Sequence, residues 1–249
     1  MIGLIGGSGA GQFNELEHAK SLKIETPYGT PSADILEGIL YGQPVCFLSR
    51  HGPGHKIPPH KVNYRANIWA LNQAGAKRLV ALNAVGSISA GMKPTDLAMP
   101  DQIIDYTWGR EHSFFDGGEN GVDHVDFSVP YDNQIRRNLV EAARQVEVTC
   151  HSPCVYGATQ GPRLESAAEI VRMERDGSDV VGMTGMPEAG LAREIGLPYA
   201  SICIVANLAA GKADGALSID EIFKQLEQGV ENARKVFRKF VENNKINSN

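Results

Sequence analysis

At 249 residues, 42% of them apolar, the chain can bury one substantial core and has the length of a single large α/β domain. Its 24 Lys and Arg stand against 29 Asp and Glu, a net charge of −5. The clustered basic residues (Arg136-Arg137, and Arg234-Lys235 with Arg238-Lys239) fall on amphipathic helical patterns, so no nucleic-acid partner is expected. No stretch is long and apolar enough for a membrane span, and the start "MIGLIGG" lacks the basic region of a signal peptide, so a cytoplasmic location is expected. There, Cys46, Cys150, Cys154 and Cys203 read as small packing residues rather than a disulfide framework.

In chain order, the apolar run at 2–6 predicts a strand that opens into the turn "GGSGAGQF". A dinucleotide fingerprint counted from Gly7 and Gly9 lands on Gln12, and a phosphate loop counted from Gly6 meets Gln12 and Phe13 where Lys and Ser or Thr are required. What remains is a tight turn needing glycine, with one hydroxyl, Ser8, that could help to hold an anion. Strands are predicted at 33–42 and 44–50, the second ending in Arg50-His51. His55 and His60 follow, but Gly-Pro-Gly between His51 and His55 keeps these two off one helix face and no acid or thiolate lies nearby, so a metal site is not expected. An arginine at a strand end beside a glycine loop suits an oxyanion, which its planar fork can grip twice.

A helix at 62–74 leads to the apolar run 78–86, which reads as a strand stopping in a backbone-exposing loop over 83–87. Further strands are predicted at 101–107, 154–161, 179–183 and 199–207, and helices at 132–146, 166–175, 188–195 and 218–242. Glu165 is placed at the start of its helix, where an acid favours the dipole, and Asn207 at the end of its strand, where an amide suits a turn. The last helix has Ile219, Ile222, Phe223, Leu226, Val230, Ala233, Phe237 and Phe240 at helical spacing, with Ser218 and Glu221 in the form of a capping box. Strands alternating with helices imply one α/β domain over 1–249, with a central mixed or mostly parallel sheet flanked by helices. Several strands end in anion-friendly loops, and ligands of such sheets sit at the carboxyl ends of strands.

The motifs "LIGGSG", "SRHGPGHKIPPHKVNYRANIWAL", "NAVGS", "TQGPRLES" and "GMTGMPE", with the Asn closing the penultimate strand prediction, occur in this order in the trimeric purine nucleoside phosphorylases and methylthioadenosine phosphorylases, which the chain resembles over nearly its whole length. The resemblance implies a homotrimer in which inorganic phosphate, as co-substrate and with no cofactor or metal, cleaves the glycosidic bond of a purine nucleoside. It implies a phosphate site of Ser8, Arg50, His51, Thr184 and the backbone at Asn83 and Ala84, with Arg50, His51 and Asn207 as the catalytic residues. Met183 would pack on the ribose, Leu164 would replace an aromatic residue beside the base, Leu208 and Ala209 would lie by Asn207, and His124 would close a neighbouring subunit's site.

Substrate choice follows from two positions. Family members that accept adenine nucleosides carry Asp where Asn207 stands and a small hydroxyl residue where Glu165 stands. Glu165 would accept the N1 proton of a 6-oxopurine but repel the N1 lone pair of adenine. Where 6-oxopurine enzymes place a His for the 5′-hydroxyl, this chain has Ile219, which with Ile222 and Phe223 would make an apolar wall for a methylthio group. The combination implies methylthioinosine, with inosine or guanosine as the alternative and methylthioadenosine third. A hydrolase would instead need a carboxylate to activate water, and a binding protein without turnover would not need the leaving-group Asn.

Overall fold

A computed structural model of the chain describes residues 1–7, 15–118, 121–213 and 219–244, without the side chain of Ile219. In chain order the elements are β1 (Ile2–Gly6), β2 (Glu17–Leu22), β3 (Ile35–Leu40), β4 (Gln43–Ser49), α1 (Tyr64–Gln73), β5 (Arg78–Ser87), β6 (Leu97–Ala98), β7 (Gln102–Asp105) and α2 (Asn133–Gln145). They continue with β8 (Cys150–His151), β9 (Val155–Ala158), α3 (Ala167–Arg175), β10 (Val180–Gly182), α4 (Gly185–Glu194), β11 (Tyr199–Leu208) and α5 (Ile219–Asn243). The expected α/β architecture is present: one mixed sheet with helices on both faces.

β5 is the hub. On one edge β11 runs parallel to it from Leu79 to Ser87. The other edge is shared: β1 pairs parallel over Arg78 to Ala81, and β10 takes over antiparallel at Gly86 and Ser87. Beyond β1 lie β4, β3 and β2, and beyond β10 lie β9 and β7. The sheet therefore forks along β5, and residues 82–85 form the crotch of the fork, paired to neither branch. This corrects the expectation of a backbone-exposing loop over 83–87: the strand continues to Ser87, and it is the partner that stops.

The two larger cores among the described residues cover the two faces of the sheet. Leu4, Val80, Leu82, Ile202 and Ile204 face Leu139 of α2 and Leu226, Val230, Phe237 and Phe240 of α5. On the other face Ile5, Leu48, Leu79, Ala81 and Tyr199 pack against Ile68 and Leu71 of α1 and Leu191 of α4. Each fully buried side chain of this size is worth roughly 1.5–3 kcal/mol. Gly229 lies inside α5 at a cost of about 1 kcal/mol relative to alanine. It lets the helix close onto β11, because a Cβ there would collide with the Ile204 side chain.

Local signals explain the helix ends. The Asp132 side chain accepts from the Ile135 N–H to cap α2, and Ser166 and Glu169 form a reciprocal capping box at α3. Glu165 thus precedes the cap rather than lying in the first turn as expected. The Ser218 cap expected for α5 lies outside the described residues, as does Ser8. Among the described residues no helix is long and apolar enough to cross a membrane.

Candidate active site

The crotch of the fork gathers the residues that close β1, β4 and β10. β4 ends at Ser49, so Arg50 turns inward, and its side chain is completely buried. Its Nη1 donates to the Leu82 carbonyl at 3.0 Å, filling part of the gap that β1 leaves. Gly7 makes this approach possible, since a Cβ there would stand 2.9 Å from Arg50 Nη1 and collide with the Leu82 carbonyl. Backbone groups alternate along a strand, so the Ala84 N–H faces the fork on the same side as the Leu82 carbonyl.

The fork of Arg50 itself is already occupied. Nε and Nη2 donate to Glu188 at 2.6 and 2.8 Å, and Glu188 also accepts from the Tyr199 hydroxyl at 2.8 Å. The expected two-point grip on an oxyanion by that edge is therefore replaced by a grip on a carboxylate, which leaves one N–H on Nη1 and one on Nη2. Burial alone would make Arg50 a weaker base, but the Glu188 carboxylate more than offsets this and holds the guanidinium charged. Glu188 reaches it because Met186 is extended (φ −118°, ψ 142°) and interrupts the first turn of α4, so the regular helix starts at Pro187, a residue suited to that position.

His51 is buried beside Arg50 and its Nδ1 lies 2.7 Å from the Ile57 carbonyl, which assigns the ring proton to Nδ1 and leaves Nε2 an acceptor. Burial first, and the Arg50 charge second, lower its pKa to about 4, so the ring is neutral at physiological pH. His55 stacks on it with ring centroids 4.3 Å apart. Across the crotch, Asn83 donates from Nδ2 to Thr184 Oγ1 at 2.7 Å and accepts from Ser201 Oγ at 2.7 Å. The Asn83 amide is thereby committed to orienting Thr184, which follows β10 and retains a hydroxyl proton to donate.

A second group lies beyond the fork. β11 keeps register with β5 as far as Val205 opposite Val85, and then Asn207, not Ala206, stands opposite Gly86. This bulge carries Asn207 off the face of Ser201, Cys203 and Val205, and its Nδ2 comes within 3.3 Å of the place a Gly86 Cβ would take. One Nδ2 proton goes to the Leu208 carbonyl at 2.7 Å and the other is left over. Glu165 is half-buried, and its Oε1 accepts from the Thr159 hydroxyl at 2.6 Å, so Oε2 remains for another donor. Met183 is half-buried and Leu164 is 42% exposed. Leu208 is half-buried, whereas Ala209 is buried against Ile88, Ile170, Met173 and Val181.

Of the apolar wall expected at the start of α5, the two residues whose side chains are described have different surroundings. Ile222 packs onto the core beneath α5, but Phe223 is 58% exposed, because one residue further along a helix turns the side chain about 100° away from the inward stripe. His124 is exposed on the loop that leads to α2.

Two buried charges escaped the sequence reading, Glu188 and Arg110. Glu188 is a lone charge in a short run of small or apolar residues, which many helices share, and Arg110 stands beside Glu111 and His112 in a loop, where one more polar residue draws no notice.

Known proteins resemble the chain in sequence and fold. The family described as Phosphorylase superfamily matches residues 1–242. A probable S-methyl-5'-thioinosine phosphorylase of Xanthomonas campestris pv. campestris is 54% identical over 213 residues, 86% of this chain and 85% of that protein. A 6-oxopurine nucleoside phosphorylase of Pyrococcus furiosus is 45% identical over 240 residues, 94% of this chain and 89% of that one. Among solved structures, a methylthioadenosine phosphorylase from an antarctic soil metagenomic library superposes with a TM-score of 0.90 at 39% identity, covering 97% of this chain and 85% of that chain. With the family matched from residue 1 to residue 242 and the fold shared at that level, the chain belongs to the phosphorylase superfamily.

Proposed function

We propose that the protein cleaves S-methyl-5'-thioinosine with inorganic phosphate, giving hypoxanthine and 5-methylthioribose 1-phosphate. Glu165 carries the reading, because its Oε1 is held by Thr159 and its Oε2 is left to accept the N1 proton of a 6-oxopurine. The greater identity to the methylthioinosine-named relative than to the 6-oxopurine-named one, 54% against 45%, supports the same choice.

Phosphate sits in the crotch of the sheet, held by the remaining Arg50 N–H groups, the Thr184 hydroxyl, the Ala84 amide and Ser8. His51 meets it through Nε2 and accepts the proton of a protonated phosphate oxygen. A phosphate oxygen attacks C1′ as the glycosidic bond breaks, and the ribosyl group passes through an oxocarbenium-like state that needs no covalent nucleophile. Arg50 and Thr184 supply preorganised charge and direction. As electrons move onto the departing purine, the spare Nδ2 N–H of Asn207 donates a hydrogen bond to N7 and stabilises the charge that builds there, while the proton that neutralises the base comes from water. Met183 packs on the sugar. Leu164, Leu208 and Ala209 line the base, and the start of α5, with Ile219, Ile222 and Phe223, lies by the methylthio group.

A homotrimer with His124 reaching into a neighbouring site completes the reading. It is supported by the exposure of Trp108 (72%) and Val122 (71%) on the same stretch of chain as His124, large apolar groups that another copy would cover. A cytoplasmic location accords with four free cysteines.

Base release from methylthioinosine, inosine, guanosine and methylthioadenosine, each with and without phosphate, tests the function. Phosphate-dependent release with methylthioinosine favoured roughly tenfold to hundredfold over inosine is expected, the worth of a 5′-hydroxyl left without a partner. A ratio near one would assign the general 6-oxopurine activity, which the Pyrococcus furiosus relative favours. Release without phosphate would make the protein a hydrolase.

A further inference from the structure

Arg110, on the loop after β7, takes no part in the reaction as drawn, yet it is buried beside it. Its Nε donates to Gln160 Oε1 at 3.0 Å. Nη2 donates to the carbonyls of Thr159 and Gln160 at 3.1 and 2.8 Å, and Nη1 to those of Met183 and Met186 at 2.9 and 2.6 Å. Nη1 also lies 3.2 Å from the Tyr64 hydroxyl, and the guanidinium lies over the Tyr64 ring at 5.4 Å. All five N–H groups are thus engaged, every acceptor is neutral, and no single segment supplies them.

The segments are the walls of the site. Thr159 is the residue whose hydroxyl holds Glu165. Met183 and Met186 bracket Thr184, and the carbonyl of Met186 is released to Arg110 because its extended backbone breaks the first turn of α4. Tyr64 donates to the Pro59 carbonyl at 3.0 Å, in the loop that descends from His51. Pinning a loop to the protein would need one such contact. Six, from one stretch that carries Met183 and Thr184, one that holds Glu165 through Thr159 and one tied to the loop after His51, define a spacing.

We propose that Arg110 is a positioning residue that fixes Glu165 relative to Thr184, and so fixes the distance from purine N1 to phosphate. This rests on the function proposed above. A lysine, with three N–H groups on one point, cannot reproduce the planar set of five donors.

The test compares wild type with Arg110→Lys and Arg110→Ala, measuring kcat and KM for phosphate, methylthioinosine and methylthioadenosine well below each protein's Tm. A misplacement of about 1 Å costs on the order of 10²-fold, so both variants should lose about that much kcat. Preference for methylthioinosine over methylthioadenosine should narrow, because Glu165 reads N1 only from its fixed place. Guanidinium ion should restore part of the kcat of Arg110→Ala and none of Arg110→Lys. A merely structural role would lower Tm and leave kcat and selectivity at wild-type values, and that result would overturn the proposal. If Arg110→Ala does not fold, the kcat and selectivity of Arg110→Lys decide by the same criteria. Wild type in the same series separates the two readings: no phosphate-dependent turnover by it refutes the function and the positioning together, whereas normal wild-type turnover with unaltered variants refutes the positioning alone.

Discussion

Glu188→Gln probes how the buried charge beneath the phosphate site is held. Arg50 is 0% exposed and Glu188 1%. Gln is nearly the same size but carries no charge, and its amide nitrogen would face the donors of Arg50. Removing one partner of a buried pair costs about 3–5 kcal/mol, because the other charge stays in a medium that cannot solvate it. The retained carbonyl oxygen puts Gln near the lower end, about 3 kcal/mol, out of roughly 5–15 for a typical domain. For a chain of this size that is a fall in Tm of about 6–12 °C. Urea unfolding of wild type and variant, with and without inorganic phosphate, measures it. Phosphate should stabilise Glu188→Gln more than wild type, since the Arg50 charge, no longer neutralised by a carboxylate, attracts the anion more strongly and binding adds stability by mass action. The double variant Arg50→Met with Glu188→Met should recover most of the loss of Glu188→Met alone, as apolar replacement of both partners removes the unpaired charge. A change below about 1 kcal/mol in Glu188→Gln, or a double variant as unstable as the single one, would refute the assignment of Glu188 as the counterion that retains Arg50.

Two other outcomes follow from the site. The unfolded chain protonates His51 near 6.5 whereas the folded chain holds out to about 4, so its contribution is intact above 6.5 and is lost as pH falls towards 4, on the order of 3 kcal/mol. His51→Gln should flatten that part of the stability curve in urea titrations at about pH 7 and about pH 4.5, and equal slopes in both proteins would show that His51 titrates normally. Asn207→Asp combined with Glu165→Ser should shift the ratio of kcat/KM towards methylthioadenosine, because the N1 acceptor is gone and Asp can face a 6-amino group. Retention of full 6-oxopurine selectivity in the folded double variant would remove Glu165 from the base pocket.

Legibility in the sequence tracks burial and distance. β1, β5 and β11 are covered on both faces and read as unbroken apolar runs, which the sequence marks plainly. β2 is almost wholly exposed, with Glu17, His18 and Lys20 along an edge of the sheet, and such a charged edge carries no alternation by which to find it. β6 and β8 have two residues each, too few for any period to show. Within the site, Arg50 and His51 announce themselves by a local pattern, a strand ending in a glycine loop. Glu188 does not, because its meaning comes from a partner 138 residues away, and Arg110 draws its acceptors from segments 46 to 76 residues distant. The turn at Asn83 to Ser87 is misread for a related reason: the loss of pairing belongs to β1, and nothing in the sequence of β5 records where its neighbour ends.

The bulge between Val205 and Asn207 has a bearing on how such a protein can change its diet. Asn207 stands opposite Gly86, and that pairing sets the face its amide takes, so position and identity are set independently. Exchanging the side chain alters which base is addressed while the address stays valid. Loss of the extra residue would straighten the strand and leave Asn207 opposite Gly86 on the same face, so the address outlasts that change of length as well. Substrate range at this strand is accordingly open to drift by substitution, while pairing with β5 guards the place from which the base is addressed.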